Sequence, residues 1–369
     1  MNILALRFLL FPFALLYGLA VRCRNWLYDS GVFRSVSFKH PVIVVGNLST
    51  GGTGKTPFVE YLISLLGNEH RLAVLSRGYR RRTRGFYVAS HNTNARLVGD
   101  EPQQLASKFS DVTVAVDHNR VRGIRKLLSL NPPPDCILLD DGFQHRSLTP
   151  GLSILLTEYT SLYNQGFLLP VGKLREHAKN SKRADIIVVT KSPAVHSPIS
   201  EKLIRNSLKP GEKQLLYFSY ITYGNLVPLH PDATPQFSKN HINTVVLFTG
   251  IANPSPLKAY LSDMCSEVAE IRFPDHYRYR TNDIHKILKA YDDLFTKNKI
   301  IVTTEKDAAR IRKEKTFDLL KGYPVYYIPI AFAFHPHIKG HDFDKVIKDY
   351  VRNDKKVYKL DSKENNSDT

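Results

Sequence analysis

A glycine-rich segment between a predicted strand and a predicted helix carries the strongest chemical signal in the sequence. It covers residues 49–56 and reads STGGTGKT. Glycines let successive backbone N–H groups turn inward around phosphate oxygens, and the helix that follows adds the positive end of its dipole. Lys55 would reach the β- and γ-phosphates of a nucleotide, and the Thr56 hydroxyl would bind Mg²⁺. The strict pattern has glycine where this chain has Ser49. The predicted nucleotide-phosphate site consists of Ser49, Thr50, Gly51, Gly52, Thr53, Gly54, Lys55 and Thr56.

Two consecutive carboxylates follow a short apolar strand further along the chain. The strand reads CILL at 136–139, and Asp140 and Asp141 come directly after it. Such a pair after a strand is often only a turn. Beside a phosphate-binding loop, however, a hydrophobic strand that delivers a carboxylate is the arrangement that holds a nucleotide's Mg²⁺. The two motifs together predict hydrolysis or transfer of a nucleotide γ-phosphate, with Asp140 as a metal ligand.

Short apolar runs alternate with helical patterns over most of the chain, which favours a doubly wound α/β sheet. The predicted strands of the first series lie at 41–46, 71–76, 112–116, 136–139, 152–156 and 186–190, and those of the second at 244–250, 300–304 and 325–330. The fold class is therefore α/β: a P-loop NTPase (RecA-like) parallel-sheet core, a smaller α/β domain and an N-terminal membrane-associated helix. The predicted boundaries are 1–36 for the helix, 37–214 for the P-loop domain, 215–352 for the C-terminal domain and 353–369 for a disordered tail.

Charge and cysteine content narrow the class of protein. The chain has 369 residues, and 52 Lys and Arg against 34 Asp and Glu give a net charge of +18, so anionic partners are expected. An apolar content of 43% with 23% charged residues excludes a collagen, a wholly disordered chain and a polytopic membrane protein. The three cysteines form no CxxC pair, which favours a reducing compartment.

Residues 3–21 form an apolar stretch that carries one charge, Arg7, and one proline, Pro12. A signal peptide and a buried core helix are alternatives, although no A-x-A cleavage site is evident. In a helix, one polar stripe would contain Arg7, Gly18, Arg22, Asn25 and Asp29. Such a stripe is more typical of a helix that lies in the membrane interface than of one that crosses the bilayer. Basic residues follow the stretch, so the body of the protein is expected on the cytoplasmic membrane face.

Further motifs occur in a fixed order along nearly the whole chain. They are VGN at 45–47, SRGY at 76–79, GDEP at 99–102, LDDGFQH at 139–145, GKLRE at 172–176, FPDH at 273–276 and TEKD at 304–307. With these motifs the chain resembles the tetraacyldisaccharide 4′-kinases, the lipid A 4′-kinases of Gram-negative bacteria. It departs from the family pattern at Tyr277, where a second histidine is expected, and at His177, where proline is usual.

The resemblance implies a reaction and its partners. The γ-phosphate of ATP would move, with Mg²⁺, to the 4′-hydroxyl of a tetraacyl glucosamine disaccharide 1-phosphate in lipid A biosynthesis. The lipid substrate lies in the bacterial inner membrane, so the protein would work on its cytoplasmic face. No nucleic acid and no obligate protein partner are expected. Basic residues would attract the anionic head groups; they are Arg22, Arg24, Arg77, Arg80, Arg81, Arg82 and Arg84.

Site roles follow from the same resemblance and from the chemistry of phosphoryl transfer. Asp100 is the candidate base, and the family implies His276 as its partner, with Lys55 completing the catalytic set. Arg175 is a candidate clamp on the nucleotide phosphates because a guanidinium grips two oxygens at once. The acceptor side would be lined by Asp141, Gln144, His145 and Arg120. Taken alone, these residues have ordinary interpretations: Asp100 as a helix N-cap, His276 as a structural histidine, and Arg175 and Arg120 as solvated surface groups.

Two other classes of P-loop protein remain as alternatives. A membrane-associated ATPase that acts as a switch or partitioning factor is one, but the signature lysine of the partitioning ATPases is replaced by Thr50, and 190–192 and 304–307 only loosely resemble a base-reading motif. A nucleic-acid-binding NTPase is the other, motivated by the charge alone. Neither a helicase motif set nor an aromatic stacking motif supports it.

Overall fold

The computed structural model describes residues 3–79, 81–195, 197–230, 242–275, 277–312, 315–336 and 342–352, with side chains from Phe8 onward except at position 315. The chain divides into two compact units, one formed by Met1–Ile221 with Phe332–Thr369 and the other by Thr222–Ala331. The sequence predicts a boundary near residue 215 and a single domain over 215–352. The structure instead returns the chain to the first unit at Phe332, because the last strand joins the larger sheet. The predicted tail at 353–369 lies outside the described residues.

The strands and helices of the described residues alternate along the chain. The strands are β1 (Val36–Ser37), β2 (Val42–Asn47), β3 (Leu72–Ser76), β4 (Tyr87–Ala89), β5 (Thr113–Val116), β6 (Cys136–Asp140), β7 (Leu148–Thr149), β8 (Leu152–Glu158), β9 (Ile186–Thr190), β10 (Leu215–Tyr223), β11 (Val227–Pro228), β12 (Ile242–Thr249), β13 (Cys265–Arg272), β14 (Lys299–Thr304), β15 (Val325–Ile328) and β16 (Ile330–Phe334). The helices are α1 (Ile3–Asp29), α2 (Lys55–Leu66), α3 (Ala95–Val98), α4 (Asp100–Lys108), α5 (Arg120–Leu128), α6 (Pro198–Leu208), α7 (Ser255–Ser262), α8 (Thr281–Asp292), α9 (Glu305–Ile311) and α10 (Phe343–Arg352).

A nine-stranded sheet forms the centre of the larger unit, in the order β16-β10-β9-β8-β2-β6-β3-β5-β4. From β10 to β5 the neighbours are parallel, and β4 runs antiparallel at the edge. The inner strands are buried on both faces, as continuous Val, Ile and Leu runs require. The predicted α/β fold with a parallel-sheet core is confirmed. Strand β2 lies between β6 and β8, so the loop after β2 is placed beside the carboxyl end of β6.

Helices α2 and α10 cover one face of this sheet. The buried side of α2 carries Phe58 and Leu62, and α10 adds Phe343 and Ile347 to the same apolar cluster. The rings of Phe58 and Phe343 have centroids 5.8 Å apart. Burying each such side chain contributes roughly 1.5–3 kcal/mol. The residues after Phe332 therefore hold the helix that follows the glycine-rich loop.

The smaller unit has its own five-stranded sheet, in the order β11-β15-β14-β12-β13. Strands β15, β14, β12 and β13 run parallel, and β11 is antiparallel to β15. In the corner after β14, the buried carboxylate of Asp307 accepts hydrogen bonds from the Thr304 hydroxyl at 2.7 Å and the Gly250 N–H at 2.9 Å. Arg310 also donates to this carboxylate, at 2.9 Å. The TEKD motif at 304–307 thus fixes a turn at the end of β12.

Helix α1 presents a broad apolar face that is exposed. Its exposed large side chains are Phe8, Leu9, Phe11, Phe13, Leu15, Leu16, Leu19 and Trp26, and we call this set the α1 face. The segment Phe8–Asp29 is long and apolar enough to cross a membrane, by length and composition. The predicted polar stripe is only partly exposed: Gly18 and Asn25 are buried against the body of the unit. A Cβ on Gly18 would lie 2.8 Å from Leu168 Cδ1, so glycine there allows close packing.

Candidate active site

The glycine-rich loop joins β2 to α2, as its sequence predicts. Gly54 precedes α2 with a φ of 85°, a conformation that glycine adopts without steric strain. Gly46, at the end of β2, has no room for a side chain, because a Cβ there would lie 2.6 Å from Phe143 Cβ. Ser49 stands where the strict motif has glycine, and it does not adopt a positive φ. A non-glycine residue therefore fits at position 49.

Asp140 ends β6 as a fully buried carboxylate. Val45 of β2 is its partner in the sheet register, so Asp140 lies directly beside the strand that leads into the loop. The Ser76 hydroxyl donates to its Oδ2 at 3.3 Å, while Oδ1 has no hydrogen-bond partner within the described part of the chain. Burial, followed by the charges of Glu101 and Asp141, raises the pKa of Asp140 to about 7. A buried carboxylate oxygen without a donor is suited to a cation.

The carboxylate of Asp141 joins two cationic side chains. Arg175 Nη1 donates to its Oδ1 at 3.0 Å and to its Oδ2 at 2.9 Å, and Lys55 Nζ lies 3.6 Å from Oδ1. Burial raises the pKa of Asp141, but Lys55 and Arg175 outweigh it and hold the pKa below its ordinary value. Asp141 has a φ of 51°, a left-handed conformation that Asp and Asn tolerate better than most residues. The structure thus brings together three predicted site residues.

The GKLRE segment lies along the first residues of the glycine-rich loop. The Thr50 N–H donates to the Lys173 carbonyl at 2.7 Å, and the Arg175 N–H donates to the Leu48 carbonyl at 2.7 Å. Ser49 and Leu174 form an antiparallel bridge between these bonds. Backbone pairing with the glycine-rich loop therefore positions Arg175. Lys55 of the same loop and Arg175 both contact the carboxylate of Asp141.

Arg120 is among the most deeply buried side chains of the chain. Its Nη1 donates to the Asp117 carbonyl, and its Nη2 donates to the Asp140 carbonyl at 3.3 Å. Burial lowers the pKa of its guanidinium to about 10. These bonds place Arg120 behind the metal-site candidate, where it holds the backbone of Asp140. Its predicted contact with an acceptor remains a prediction.

Gln144 and His145 lie on the short loop that follows Asp141. Gln144 Nε2 donates to the Asn47 carbonyl at 2.7 Å, and its Oε1 accepts from Arg175 Nη1 at 3.4 Å. Burial, and then the positive charges of Arg120 and Arg77, lower the pKa of His145 to about 4. His145 is therefore a neutral imidazole near pH 7. Both residues lie in the predicted site region, and their acceptor contacts remain predictions.

Asp100 is an exposed residue at the start of α4. Gly99, with a φ of 97°, forms the preceding turn, and a Cβ there would lie 3.0 Å from the Tyr79 carbonyl oxygen. The SRGY and GDEP motifs are therefore neighbours. Glu101 is close enough to Asp140 to raise its pKa, so the start of α4 lies toward the end of β6. His276 lies outside the described residues, and its pairing with Asp100 remains a prediction.

Comparison with known proteins assigns the chain to a family. The model of the family described as tetraacyldisaccharide-1-P 4′-kinase matches residues 6–351. The chain belongs to this family. Named tetraacyldisaccharide 4′-kinases of Parabacteroides distasonis and Flavobacterium johnsoniae are each 44% identical to it, over 88% and 94% of this chain and over 90% and 98% of their own lengths.

A solved structure of a family member has the same fold. It is the "apo" form of LpxK from Aquifex aeolicus in complex with ATP, which aligns with a TM-score of 0.67 and 28% identity over 94% of this chain and 99% of its own. The resemblance predicted from the motifs is confirmed, as is the prediction that the chain is a kinase of lipid A biosynthesis. A switch or partitioning ATPase is not favoured.

The structure of this tetraacyldisaccharide-1-P 4′-kinase family member also contains polar contacts that sequence reasoning did not assign. Asn47 Nδ2 donates to the Thr53 hydroxyl at 2.8 Å, and the Thr190 hydroxyl donates to the Thr53 carbonyl at 2.9 Å. Lys191 Nζ donates to the Gly52 carbonyl at 2.6 Å and lies 3.1 Å from Glu158 Oε1. The available signal was the position of Asn47 and Thr190 at the ends of β2 and β9. The carboxyl ends of parallel strands lie at one edge of the sheet, beside the glycine-rich loop.

Two basic surface cavities lie beside the site. One of about 350 Å³ is lined by Arg77, Gly78, Tyr79, Arg81, Thr83, Arg84 and His118. The other, of about 400 Å³, is lined by Arg34, Val36, His118, Asn119, Arg120, Val121, Arg122, Arg125 and Ser147. Part of the predicted basic cluster thus borders a cavity, whereas Arg80 lies outside the described residues. Clustered guanidinium groups attract anionic ligands.

Proposed function

We propose that the protein transfers the γ-phosphate of ATP to the 4′-hydroxyl of a tetraacyl disaccharide 1-phosphate held in the inner membrane, on its cytoplasmic face. The hydroxyl oxygen forms a bond to the γ-phosphorus, the bond from that phosphorus to the β,γ-bridging oxygen breaks, and ADP leaves. One observation carries the proposal. Lys55 of the glycine-rich loop and Arg175 converge on the same carboxylate, beside the buried Asp140.

This convergence supplies positive charge where a transferring phosphoryl group needs it. Lys55 and Arg175 are only partly exposed, with 15% and 27% of their side chains accessible, so their charges act in a region of reduced dielectric. The backbone N–H groups around Gly51–Gly54 and the start of α2 complete an anion-binding cradle. The nucleotide phosphates are assigned to this cradle, formed by residues 49–56 with Arg175.

The donor set also fits a magnesium ion. Asp140 contributes an oxygen without a hydrogen-bond partner among the described residues, and Thr56 stands at the second position of α2 with a hydroxyl. Hydroxyl and carboxylate oxygens are ligands that Mg²⁺ prefers. When bound, the ion neutralises negative charge on the phosphate oxygens. Asp140 and Thr56 are the residues that would hold it.

The acceptor hydroxyl requires a base, because it is a weak nucleophile while protonated. Asp100 is exposed at the first position of α4, and the neighbouring Glu101 influences Asp140. We assign to Asp100 the removal of the hydroxyl proton. The basic cavities bordered by Arg77 and Arg125 are suited to the anionic parts of the lipid.

The exposed α1 face provides the contact with the membrane. It is adjacent to basic Arg22 and Arg24, which favour the anionic cytoplasmic leaflet. This placement lets the enzyme reach a substrate whose acyl chains stay in the bilayer. The net charge of +18 is suited to such an anionic surface.

The deciding experiment measures transfer of label from γ-labelled ATP, with Mg²⁺, to the tetraacyl disaccharide 1-phosphate in detergent micelles. A Lys55→Ala variant is the matched control. A labelled bisphosphate lipid made by the unaltered chain and not by the variant supports the proposal. ATP hydrolysis that is independent of lipid, with no labelled lipid, contradicts it and favours a switch ATPase.

A further inference from the structure

The carboxylate of Glu176 is a buried junction between helix α1 and the segment that carries Arg175. Its side chain is 1% exposed, yet it is fully hydrogen-bonded. From α1, Arg24 Nη2 donates to Oε1 at 3.1 Å and Asn25 Nδ2 donates to Oε2 at 3.3 Å. From the turn that follows, Asn180 and Arg183 donate to Oε2 at 2.8 and 2.6 Å. A buried charge with four donors fixes the backbone around it.

A second bond joins α1 to the same segment one residue earlier. The Tyr17 hydroxyl donates to the Arg175 carbonyl at 2.8 Å. The side chain of Arg175 then reaches Asp141, the partner of Lys55. Arg183, a partner of Glu176, also stacks 4.6 Å from the Phe143 ring, in the loop after Asp141. Helix α1 is thus connected to the phosphate-binding residues by two short chains of contacts.

The geometry points to Glu176 and Tyr17 as positioning residues that hold the Arg175 guanidinium on the phosphate site and anchor it to the membrane-facing helix. This inference rests on the proposed role of Arg175 as a phosphate clamp. The α1 face and the residues Tyr17, Arg24 and Asn25 belong to one continuous helix, so the helix that docks on lipid also orients Arg175. The clamp is thereby fixed relative to the bilayer in which the acceptor lies.

The chain offers gentle variants for a test. Tyr17→Phe removes a single hydroxyl, and Glu176→Gln keeps the shape of the side chain but removes its charge. Matched controls are Tyr28→Phe on the same helix and Glu201→Gln, which breaks an ion pair with Arg205 on α6. Each variant is made alone and in an Arg175→Ala background, in the full-length chain.

Transfer to the micellar acceptor and affinity for a non-hydrolysable ATP analogue with Mg²⁺ are both measured. Tyr17→Phe should raise the KM for ATP about fivefold, as loss of one hydrogen bond predicts, and Glu176→Gln should raise it at least about tenfold. Neither should change binding to vesicles of anionic phospholipid. In the Arg175→Ala background, each substitution should add less than about twofold, because residues that act through one group are not additive. The controls should match the unaltered chain.

Full additivity in the Arg175→Ala background would overturn the inference, since the two residues would then affect nucleotide binding independently of Arg175. Arg175→Ala with unchanged transfer and unchanged analogue affinity would overturn it too, while leaving the kinase activity intact. Failure of the proposed function is a different result, namely no labelled lipid from the unaltered chain. Even then, the affinities of the single and double variants for the ATP analogue test the inference, because that measurement needs no acceptor.

Discussion

Asp141 forms the anionic link between Arg175, which donates to both of its oxygens, and Lys55, 3.6 Å away. Substitution by asparagine keeps the left-handed backbone conformation that position 141 requires, but it removes the charge that orders the two cations. We expect Asp141→Asn to raise the KM for ATP by about tenfold, the effect of losing one charge-assisted contact. Steady-state kinetics with varied ATP measures this.

The alanine variant at the same position separates charge from backbone. Asp141→Ala should lose stability as well as affinity, because alanine at a φ of 51° adds strain of about 1 kcal/mol. A melting temperature equal to that of the asparagine variant would argue against this account.

Substitution of Asp140 is expected to lower activity strongly without lowering the stability of the protein. Asp140→Asn keeps the bond to Ser76 but leaves a neutral group where the structure buries a carboxylate near Glu101 and Asp141. Transfer should fall by about three orders of magnitude, since a held cation contributes several kcal/mol to the transition state. The melting temperature should stay level or rise.

The matched control for Asp140 is Asp135→Asn. It breaks the exposed ion pair with Arg71, which contributes little to stability, and should leave transfer unchanged. A strongly destabilised Asp140→Asn protein, or one with near-normal transfer at all Mg²⁺ concentrations, would refute the metal-site assignment.

Asp100 is expected to act on turnover alone. Asp100→Asn should lower kcat by about 10²–10⁴, the usual contribution of a general base, and leave the affinity for an ATP analogue unchanged. Rapid-quench measurement of a single turnover isolates the chemical step. The comparison variant is Asp111→Asn, at an exposed carboxylate three residues beyond the end of α4, and it should retain full activity. Near-normal single-turnover rates in Asp100→Asn would reject the assignment.

Strand and loop positions were predictable from sequence where one residue pattern determines them. Short apolar runs predicted β2, β3, β6 and β9, and the glycine-rich motif predicted a loop between β2 and α2. Strand β13 was missed because half-exposed CSEVAEIR lacks an apolar run. The return of the chain at Phe332 was missed because joining a distant sheet leaves no local signal.

Long-range polar partners set a second limit on prediction. Nothing in the sequence indicates that Glu176 meets Arg24 and Asn25, about 150 positions earlier in the chain. In the same way, Arg120 reads as a surface arginine at the start of a basic helix, and only the fold shows that it is buried behind Asp140. Residue types identified the chemistry of the site, whereas the tertiary fold determined which residues support it.

His145 should make the stability of the protein depend on pH. Its pKa of about 4 in the folded chain lies below the ordinary value of 6.5. Between these values the unfolded chain binds a proton that the folded chain does not, so stability falls as pH drops from 6.5 to 4. The loss is at most about 3 kcal/mol at the acid end. Above pH 6.5 this contribution no longer changes.

Thermal unfolding of the unaltered chain and of His145→Gln, compared at each pH, isolates this effect from the titration of carboxylates. The difference between the two proteins should grow in favour of the variant as pH falls through this range. The exposed His118→Gln controls for the loss of one histidine. A pH-independent difference between the unaltered chain and His145→Gln would show that burial does not suppress protonation of this imidazole.

The α1 face should govern access to the lipid but not to the nucleotide. Phe13 and Leu16 are 59% and 64% exposed, and an aspartate at each position opposes insertion by up to about 3 kcal/mol per residue. The double variant Phe13→Asp with Leu16→Asp should bind anionic vesicles at least about tenfold more weakly. Transfer to an acceptor embedded in vesicles should fall in parallel, whereas affinity for an ATP analogue should not change.

Leu203→Asp, at an equally exposed position on α6, is the control and should bind vesicles normally. If the double variant retained full vesicle binding, the membrane contact would have to lie elsewhere, because these two side chains occupy the middle of the exposed apolar face.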